Sequence, residues 1–554
     1  MDSPYSRIEQ RSGPRGAVVY ADGRPLTGPD PASSMPRRLP DLQSVSPQTL
    51  FLVISPLQGH GLTEWTAALP ISCAVLLVEL DPDLAHMQPT IATWKAHRRI
   101  VASYSWESAV HSAEQLISRH AIRRSHTVHL TGGSRLQRSQ YQDLEAHLRI
   151  IIQQYWNNRG TQIRLHRRWV SNLVRNLVRD GAPVDALRAR GSRHAILVGA
   201  GPSLDHYIAL LSRIFSSTAP GDAGRGAGIL VAIDTALPAL AAAHIQPDFV
   251  VTMDSQLANA QDFLPWQWDA TAVIADATTH FSIPRRFLPS RRYWFVSRFS
   301  DVQLFRDPEL RELFNGIPVV PPRGSVAPSA VHILSEIIGV SEILLIGVDF
   351  WYRPPKSHAD MSSSDRWLKK STTRIRHRDG HDRAPARPLR ETPLRDGTRT
   401  WGDAILSDQA RIAREVITHA SGRVLQVPGP GLDIGAEHIH ESAVPAWWTS
   451  GASADLCDDL TSNSAVSMTR STELRTATLE ALLRRLRVLE NQLESTDPPI
   501  LDSGLDFVLV DLPQWPLMTL SSQWMSLHRL RILRSVKDYR RRVEASLFGG
   551  SAEY

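Results

Sequence analysis

The residues of this 554-residue chain that could do chemistry gather at the ends of apolar runs. Ala195–Val198 is followed by Gly199-Ala200-Gly201-Pro202-Ser203 and then by a helical pattern. A strand, a tight turn and a helix N-terminus in that order present backbone N–H groups to a phosphate. Gly199 and Gly201 permit a close approach that a Cβ would forbid; Pro202 suits a first helical turn, and Ser203 can cap the helix or contact an anion. Further along, Asp234 and Thr235 close the run Gly228–Asp234, Asp254 closes Asp248–Asp254, and Asp349 closes Glu342–Phe350 with Trp351 and Tyr352 after it. Any one of these aspartates could simply cap the next helix. Four polar strand ends on one edge point to a site, because open α/β sheets bind ligands at the carboxyl ends of their strands.

A second glycine and hydroxyl turn, Arg323-Gly324-Ser325-Val326-Ala327-Pro328-Ser329, precedes a helical run to Ile338. Two such turns in one sheet fit a ligand with two negative groups. His358 follows a proline-rich bend. A loop histidine is usually inert, yet its unperturbed pKa near 6.5 makes it a usable acid or base.

The elements that must position these residues can be read from periodicity. Continuous apolar runs at 195–199, 228–234, 248–254, 271–276, 293–297 and 342–350 alternate with helical patterns, which predicts a doubly wound, Rossmann-like α/β domain over residues 191–445. Thr49–Pro56 and Ala74–Pro82 flank a short helix and predict a smaller N-terminal α/β domain over 46–190. Glu79 and Asp81 there stand where dinucleotide folds hold a ribose, but the Gly59-His60-Gly61 turn is an incomplete signature, favouring a structural relic. Arg164–Arg179 reads as a linking helix, with Asn172 and Asn176 one turn apart. Residues 1–45, rich in Pro, Arg, Ser and Gly, read as a flexible leader, and 446–554 as a helical C-terminal domain.

Composition excludes several classes. Two cysteines, Cys73 and Cys457, rule out a disulfide scaffold or a multi-cysteine zinc site, and Cys73 in an apolar run reads as a buried thiol. No run approaches the roughly 20 apolar residues of a membrane span, and the N-terminus lacks an apolar signal core, so the chain reads as cytoplasmic. The net charge of +6 comes from one place: Arg353–Arg399 carries thirteen Lys or Arg against six acids. That insertion, 353–400, is either a solvated segment or a basic lid over an anionic small molecule. Neither zinc-finger spacing nor interleaved aromatics support nucleic acid as a partner.

In order, Gly199–Leu204, Ala232–Leu237, Ile245–Asp254, Gly324–Ala327 and Leu345–Phe350 with His358 resemble the motility accessory factor family of flagellin glycosyltransferases. Their core is shared with 6-hydroxymethylpterin diphosphokinase-like proteins and is distantly similar to bacterial sialyltransferases with a GNGPSL turn. The resemblance spans roughly residues 50–445. It implies transfer of a nonulosonic, sialic-acid-like sugar from a CMP donor to Ser or Thr of flagellin, in support of motility. On that resemblance Gly199, Gly201, Pro202 and Ser203 would hold the donor phosphate, with Asp234, Thr235 and Asp254 also on the donor. Ser325, with Gly324 beside it, would bind the sugar carboxylate. Tyr352 or His358 would assist the CMP leaving group, with Asp349 as a further catalytic residue, and a base would deprotonate the acceptor hydroxyl. Ala200 replaces the sialyltransferase asparagine, and His358, His377 and His381 all remain candidates for the acceptor-activating base.

The sialyltransferase-like mechanism requires no cofactor, whereas a pterin-type pyrophosphokinase would need Mg²⁺, with Asp234 and Asp254 as candidate ligands. A non-catalytic flagellin-binding assembly factor is the remaining alternative. Replacing Gly201 by a bulky residue, or Asp234 by Ala, is expected to abolish transfer and leave the fold intact.

Overall fold

The computed structural model describes residues 8–13, 16–86, 99–188, 194–215, 228–264, 270–297, 314, 316–352, 356–375, 389–450, 465–495, 507–510, 512 and 526–548. The chain divides into two compact units. The first comprises Met1–His166, Gln492–Ile500 and Leu509–Leu533; the second comprises Arg167–Asn491, Leu501–Val508 and Arg534–Tyr554.

In the first unit, β1 (Ile8–Gly13), β2 (Gly16–Ala21) and β3 (Arg24–Pro25) form an antiparallel sheet. Val19, Ala21, Leu26 and Met35 are buried in the same cluster as Phe51, Val53 and Val75. The sequence suggests a flexible leader here, and the structure corrects that: the apolar pair Val18-Val19 is short, but packing against the neighbouring sheet supplies the burial that local pattern lacks. That neighbour is parallel, in the order β6-β5-β4-β7, from β4 (Thr49–Ile54), β5 (Ala74–Val78), β6 (Ile100–Ser103) and β7 (Arg124–His129). The predicted strand–helix–strand pattern is present, with the helix Leu62–Ala68 between β4 and β5. Cys73 is buried there as a free thiol.

Glu79 and Asp81 at the end of β5 are spent internally. Glu79 accepts from Tyr141 Oη at 2.9 Å and from the Asp81 N–H at 3.2 Å. Asp81 caps the helix Pro82–Ala85 through Asp83 and Leu84 N–H. The structural reading of this pair holds.

The second unit is built on one sheet in the order β14-β13-β12-β11-β10-β9-β15-β18-β19, with β8 beside β13. In chain order these are β8 (Ala182–Pro183), β9 (His194–Val198), β10 (Ile229–Ile233), β11 (Phe249–Thr252), β12 (Ala272–Asp276), β13 (Arg292–Ser297), β14 (Val319–Val320) and β15 (Glu342–Ile346), followed by β18 (Arg423–Gln426) and β19 (Glu437–His438). Every pair is parallel. Between β15 and β18 the basic insertion forms an antiparallel hairpin of β16 (Leu389–Pro393) and β17 (Arg399–Asp403).

The central strands are buried on both faces, which is why they read as unbroken apolar runs. β9 pairs with β10 on one side and β15 on the other, so the direction of strand addition reverses there. Such a reversal opens a crevice at the carboxyl edge.

The long helix Arg138–Leu177 contains the predicted linking helix as its C-terminal part. Asn172 and Asn176 are wholly buried; each Nδ2 donates to two carbonyls, of Ser255 and Thr278 for the first and of Ala277 and Thr279 for the second. They are anchors for the loops after β11 and β12. The predicted C-terminal helices appear as Ala465–Glu494 and Arg529–Phe548, but their residues are divided between the two units.

Candidate functional site

At the β9/β15 reversal lies a cleft of about 880 Å³ within the second unit. Gly199, Gly201, Asp234, Thr235, Asp254 and Ser325 line it. So do Asp349, Tyr352 and His358. Pro202, Ser203 and Gly324 are not among its lining residues. His377 and His381 fall outside the described residues.

The glycine turn owes its residue types first to a backbone meeting. The Gly199 N–H donates to Ile346 O at 2.8 Å and the Gly201 N–H to Gly347 O at 2.7 Å. A Cβ on Gly199 would stand 2.5 Å from Gly347 O, and one on Gly201 2.7 Å from the same oxygen. Two strand ends touch here with no room for a methyl group. Gly347 itself has φ +70°, and Phe350 reaches φ +50°, a costly conformation for a bulky residue that turns the aromatic run Phe350–Tyr352 along the cleft.

Asp349 holds this turn together. Its Oδ2 accepts the Ser203 N–H at 2.8 Å and its Oδ1 the Ser203 hydroxyl at 2.6 Å. The Arg395 guanidinium, itself buried, lies 3.7 Å from Oδ1, donates to Val348 O, and donates to Leu432 O at 3.2 Å. Burial pushes the Asp349 carboxyl up, against the pull of Arg395 and the Ser203 donors. This geometry reassigns two residues: Ser203 gives its hydroxyl to Asp349 rather than to the cleft, and Asp349 positions the turn.

Asp234 is equally committed. Its Oδ1 accepts the Thr235 N–H, and its Oδ2 accepts Thr252 Oγ1 and Asn259 Nδ2, all at 2.8 Å. Burial raises its pKa despite those donors. Asp254 is half-buried and accepts the Gln256 N–H at 2.8 Å. Asp262, absent from the sequence reading, also lines the cleft and is pushed up to about 7 by burial.

Ser325 precedes the helix Val326–His332, which continues as a wider turn through Ile338. Its Oγ is buried with no hydrogen-bond partner, although the residue lines the cleft. The loop bearing His358 is pinned to the glycine turn: Ala359 N–H donates to Ala200 O at 2.9 Å, Asp360 N–H to Asp205 Oδ1 at 2.8 Å, and Lys356 pairs with Asp205. His358 Nδ1 lies 3.0 Å from Ser357 Oγ, and burial pushes its pKa below the ordinary value.

The helix Ser363–Ser371, capped by Ser362, closes one wall with Ser363, Ser364 and Trp367. The Ser362-to-Asp365 spacing is the sequence signal that could have found it. Among the described residues lining the cleft there is no lysine or arginine, whereas four are aspartates. The basic insertion therefore contributes serines, aromatics and the buried Arg395, not a positive lid, among its described residues. No group of three or more His, Cys, Asp or Glu among the described residues is placed to share a metal ion. No helix among them is long and apolar enough to cross a membrane.

Residues 167–354 match the family model of 6-hydroxymethylpterin diphosphokinase MptE-like proteins. That segment contains the glycine turn, Asp234, Asp254, Asp262, Ser325 and Asp349; His358, Trp367 and Arg395 lie beyond it. The chain is 25% identical over 351 residues to an uncharacterized protein of Treponema pallidum (strain Nichols), a match covering 60% of this chain and 57% of that protein. The structure is similar to that of the MAf glycosyltransferase from Magnetospirillum magneticum AMB-1, with a TM-score of 0.55, 13% identity and coverage of 98% of this chain and 91% of that one. The likeness to the MAf glycosyltransferase shows a shared fold, and it and the family model agree with the resemblance carried by the strand-end motifs.

Proposed function

We propose that the chain is a glycosyltransferase that moves a nonulosonic sugar from a CMP donor to a Ser or Thr hydroxyl of flagellin, in the cytoplasm and in support of motility. The observation that carries this reading is the cleft at the sheet reversal, in a fold shared with the MAf glycosyltransferase from Magnetospirillum magneticum. The pinned backbone of Gly199–Gly201 would meet the donor phosphate with fixed dipoles, which need no reorganisation during reaction. The unpartnered hydroxyl of Ser325, at a helix N-terminus, suits the sugar carboxylate. Trp351, Tyr352 and Trp367 offer aromatic faces to a base or a sugar ring. His358, held below its ordinary pKa, is an unprotonated imidazole at neutral pH and can take the acceptor hydroxyl proton.

One observation favours a second reading. Asp234 and Asp254 line the cleft within the segment that matches the diphosphokinase model, the kind of carboxylates a Mg²⁺-dependent pyrophosphokinase would use. The two are separated by incubating the full chain with CMP-nonulosonates and flagellin, and in parallel with ATP, Mg²⁺ and a hydroxymethylpterin. A sugar mass increment on flagellin that persists in chelator supports transfer; Mg²⁺-dependent AMP release without it overturns transfer in favour of the kinase. Failure to bind CMP or ATP would favour a non-catalytic assembly factor.

A further inference from the structure

The basic insertion meets the glycine turn through one buried charge. The tip between β16 and β17 is closed by the Leu394 N–H, which donates to Thr398 O at 2.7 Å, and Arg395 lies within it. The Arg395 side chain is 6% exposed and that of Asp349 1%, so both charges of this pair have left water. A buried guanidinium persists only where its donors are answered. Arg395 Nη2 lies 3.7 Å from Asp349 Oδ1 and donates to Val348 O, while Nε donates to Leu432 O at 3.2 Å. The backbone repeats the connection: Arg395 N–H donates to Gly431 O and Leu432 N–H to Asp349 O, both at 2.9 Å. Gly431 leaves the necessary room, since a Cβ there would stand 2.9 Å from Arg395 Cζ. The chain after β15 and the 428–432 loop thus form a socket, and the insertion supplies what fills it.

From this socket the influence reaches the cleft in two steps. Asp349 Oδ1 accepts the Ser203 hydroxyl at 2.6 Å, and Oδ2 accepts the Ser203 N–H at 2.8 Å. Ser203 directly precedes the helix Leu204–Phe215, and the residues before it, Gly199, Ala200 and Gly201, line the cleft. Holding both Ser203 donors is work for a carboxylate, because a protonated carboxyl turns one of its oxygens into a donor. Burial disfavours the ionised form, and Arg395 favours it. Without the guanidinium, the Asp349 carboxyl would be an unpaired buried charge or would take up a proton at the expense of one Ser203 bond. Either change loosens the turn from behind.

We propose that Arg395 is a positioning residue for the donor: through the Asp349 carboxylate and Ser203 it sets the Gly199–Gly201 backbone against which the donor phosphate lies. This assignment rests on the transferase reading of the same cleft. Arg395 is not among the residues lining the cleft, so it acts only through the groups it holds. The hairpin of β16 and β17 thereby serves the site as a brace behind the glycine turn.

The test combines CMP titration calorimetry with steady-state transfer from a CMP-nonulosonate to flagellin. It uses the full-length wild type, Arg395→Met, Asp349→Asn and the double variant. Arg395→Met removes the guanidinium and should raise CMP Kd and donor KM about 10-fold, with kcat changed less than about 3-fold. Asp349→Asn should raise Kd by a similar factor of about 10. Because both residues act along one chain of contacts, the double variant should stay near 10-fold and not reach the roughly 100-fold of independent sites. Titrations are run well below each melting temperature, where a residue that only stabilises the fold leaves Kd unmoved. An Arg395→Met Kd within about 2-fold of wild type, or losses that multiply in the double variant, overturns the assignment alone. A wild type that neither binds CMP nor transfers from any CMP-sugar overturns the transferase reading and this assignment together. If Arg395→Met fails to fold, the double variant decides, since it carries no unpaired buried charge; a Kd raised about 10-fold supports the assignment and a wild-type Kd overturns it.

Discussion

Replacing Asp234 by Ala separates what the carboxylate does for the fold from what it does for a ligand. Sequence alone suggests an inactive but intact protein. The structure predicts a different outcome, because the side chain accepts from Thr235 N, Thr252 Oγ1 and Asn259 Nδ2, and the last two donors are buried. A buried donor left without its acceptor costs about 1–3 kcal/mol, so two give about 2–6 kcal/mol. Removing a desolvated carboxyl returns part of this, leaving a net loss of about 2–4 kcal/mol. For a unit of this size that corresponds to a fall in Tm of roughly 3–5 °C. Asp234→Asn keeps an oxygen for Thr252 and Asn259 and sets its amide against the half-buried Thr235 N–H, a loss of about 0.5–1.5 kcal/mol. Circular dichroism melts of the three proteins at pH 7, with CMP titration calorimetry alongside, measure both effects. If Asp234→Ala melts within a degree of wild type, the hydrogen-bond network is not what stabilises the β10 end and the argument fails.

Gly201→Ala should cost about 1–3 kcal/mol and abolish CMP binding, since its methyl group would stand 2.7 Å from Gly347 O; an unchanged calorimetric Kd would refute the close-contact account. Ser325→Ala removes a hydroxyl with no partner, so stability should hold within about 0.5 kcal/mol while donor KM rises about 10-fold; a loss of stability instead would show that the hydroxyl has a structural role. In the first unit, burial pushes Glu79 up to about 7 from its ordinary value near 4.5. A carboxyl raised in the fold costs nothing when both states are protonated and costs fully once it must ionise. Stability should therefore fall by about 3 kcal/mol as pH climbs from 4.5 to 7, and Glu79→Gln should flatten that part of a urea-denaturation pH series.

The strands of the second unit were legible because burial on both faces writes itself as unbroken apolar runs, and the strand-end aspartates because each follows such a run. What those aspartates do was not legible. Asp349 and Ser203 sit 146 positions apart, and only the pairing of β9 with β15 reveals that they bind each other. Arg395 looked like one more charge in a basic segment; its burial depends on the 428–432 loop packing over it, which no local period reports. Asp262 and Asn259 lie in a short irregular turn without any pattern. The N-terminal strands escaped for the opposite reason, since a two-residue apolar pair becomes core only through a neighbouring sheet.

The division of the C-terminal residues bears on how this protein comes into being. Leu509–Leu533 are assigned to the first unit and Arg534–Tyr554 to the second, where Ser535 Oγ donates to Val508 O at 2.6 Å and Tyr539 stacks edge-on against Phe507. The apolar clusters under the two large sheets are nonetheless drawn from residues 19–152 and 182–436. A nascent chain halted near residue 450 would therefore already hold every residue of those clusters, and would lack the contacts among Phe507, Val508, Ser535 and Tyr539. Cutting the gene at the end of the sheet would keep the clusters and remove these later contacts, so melting the shortened chain beside the full one measures what they add.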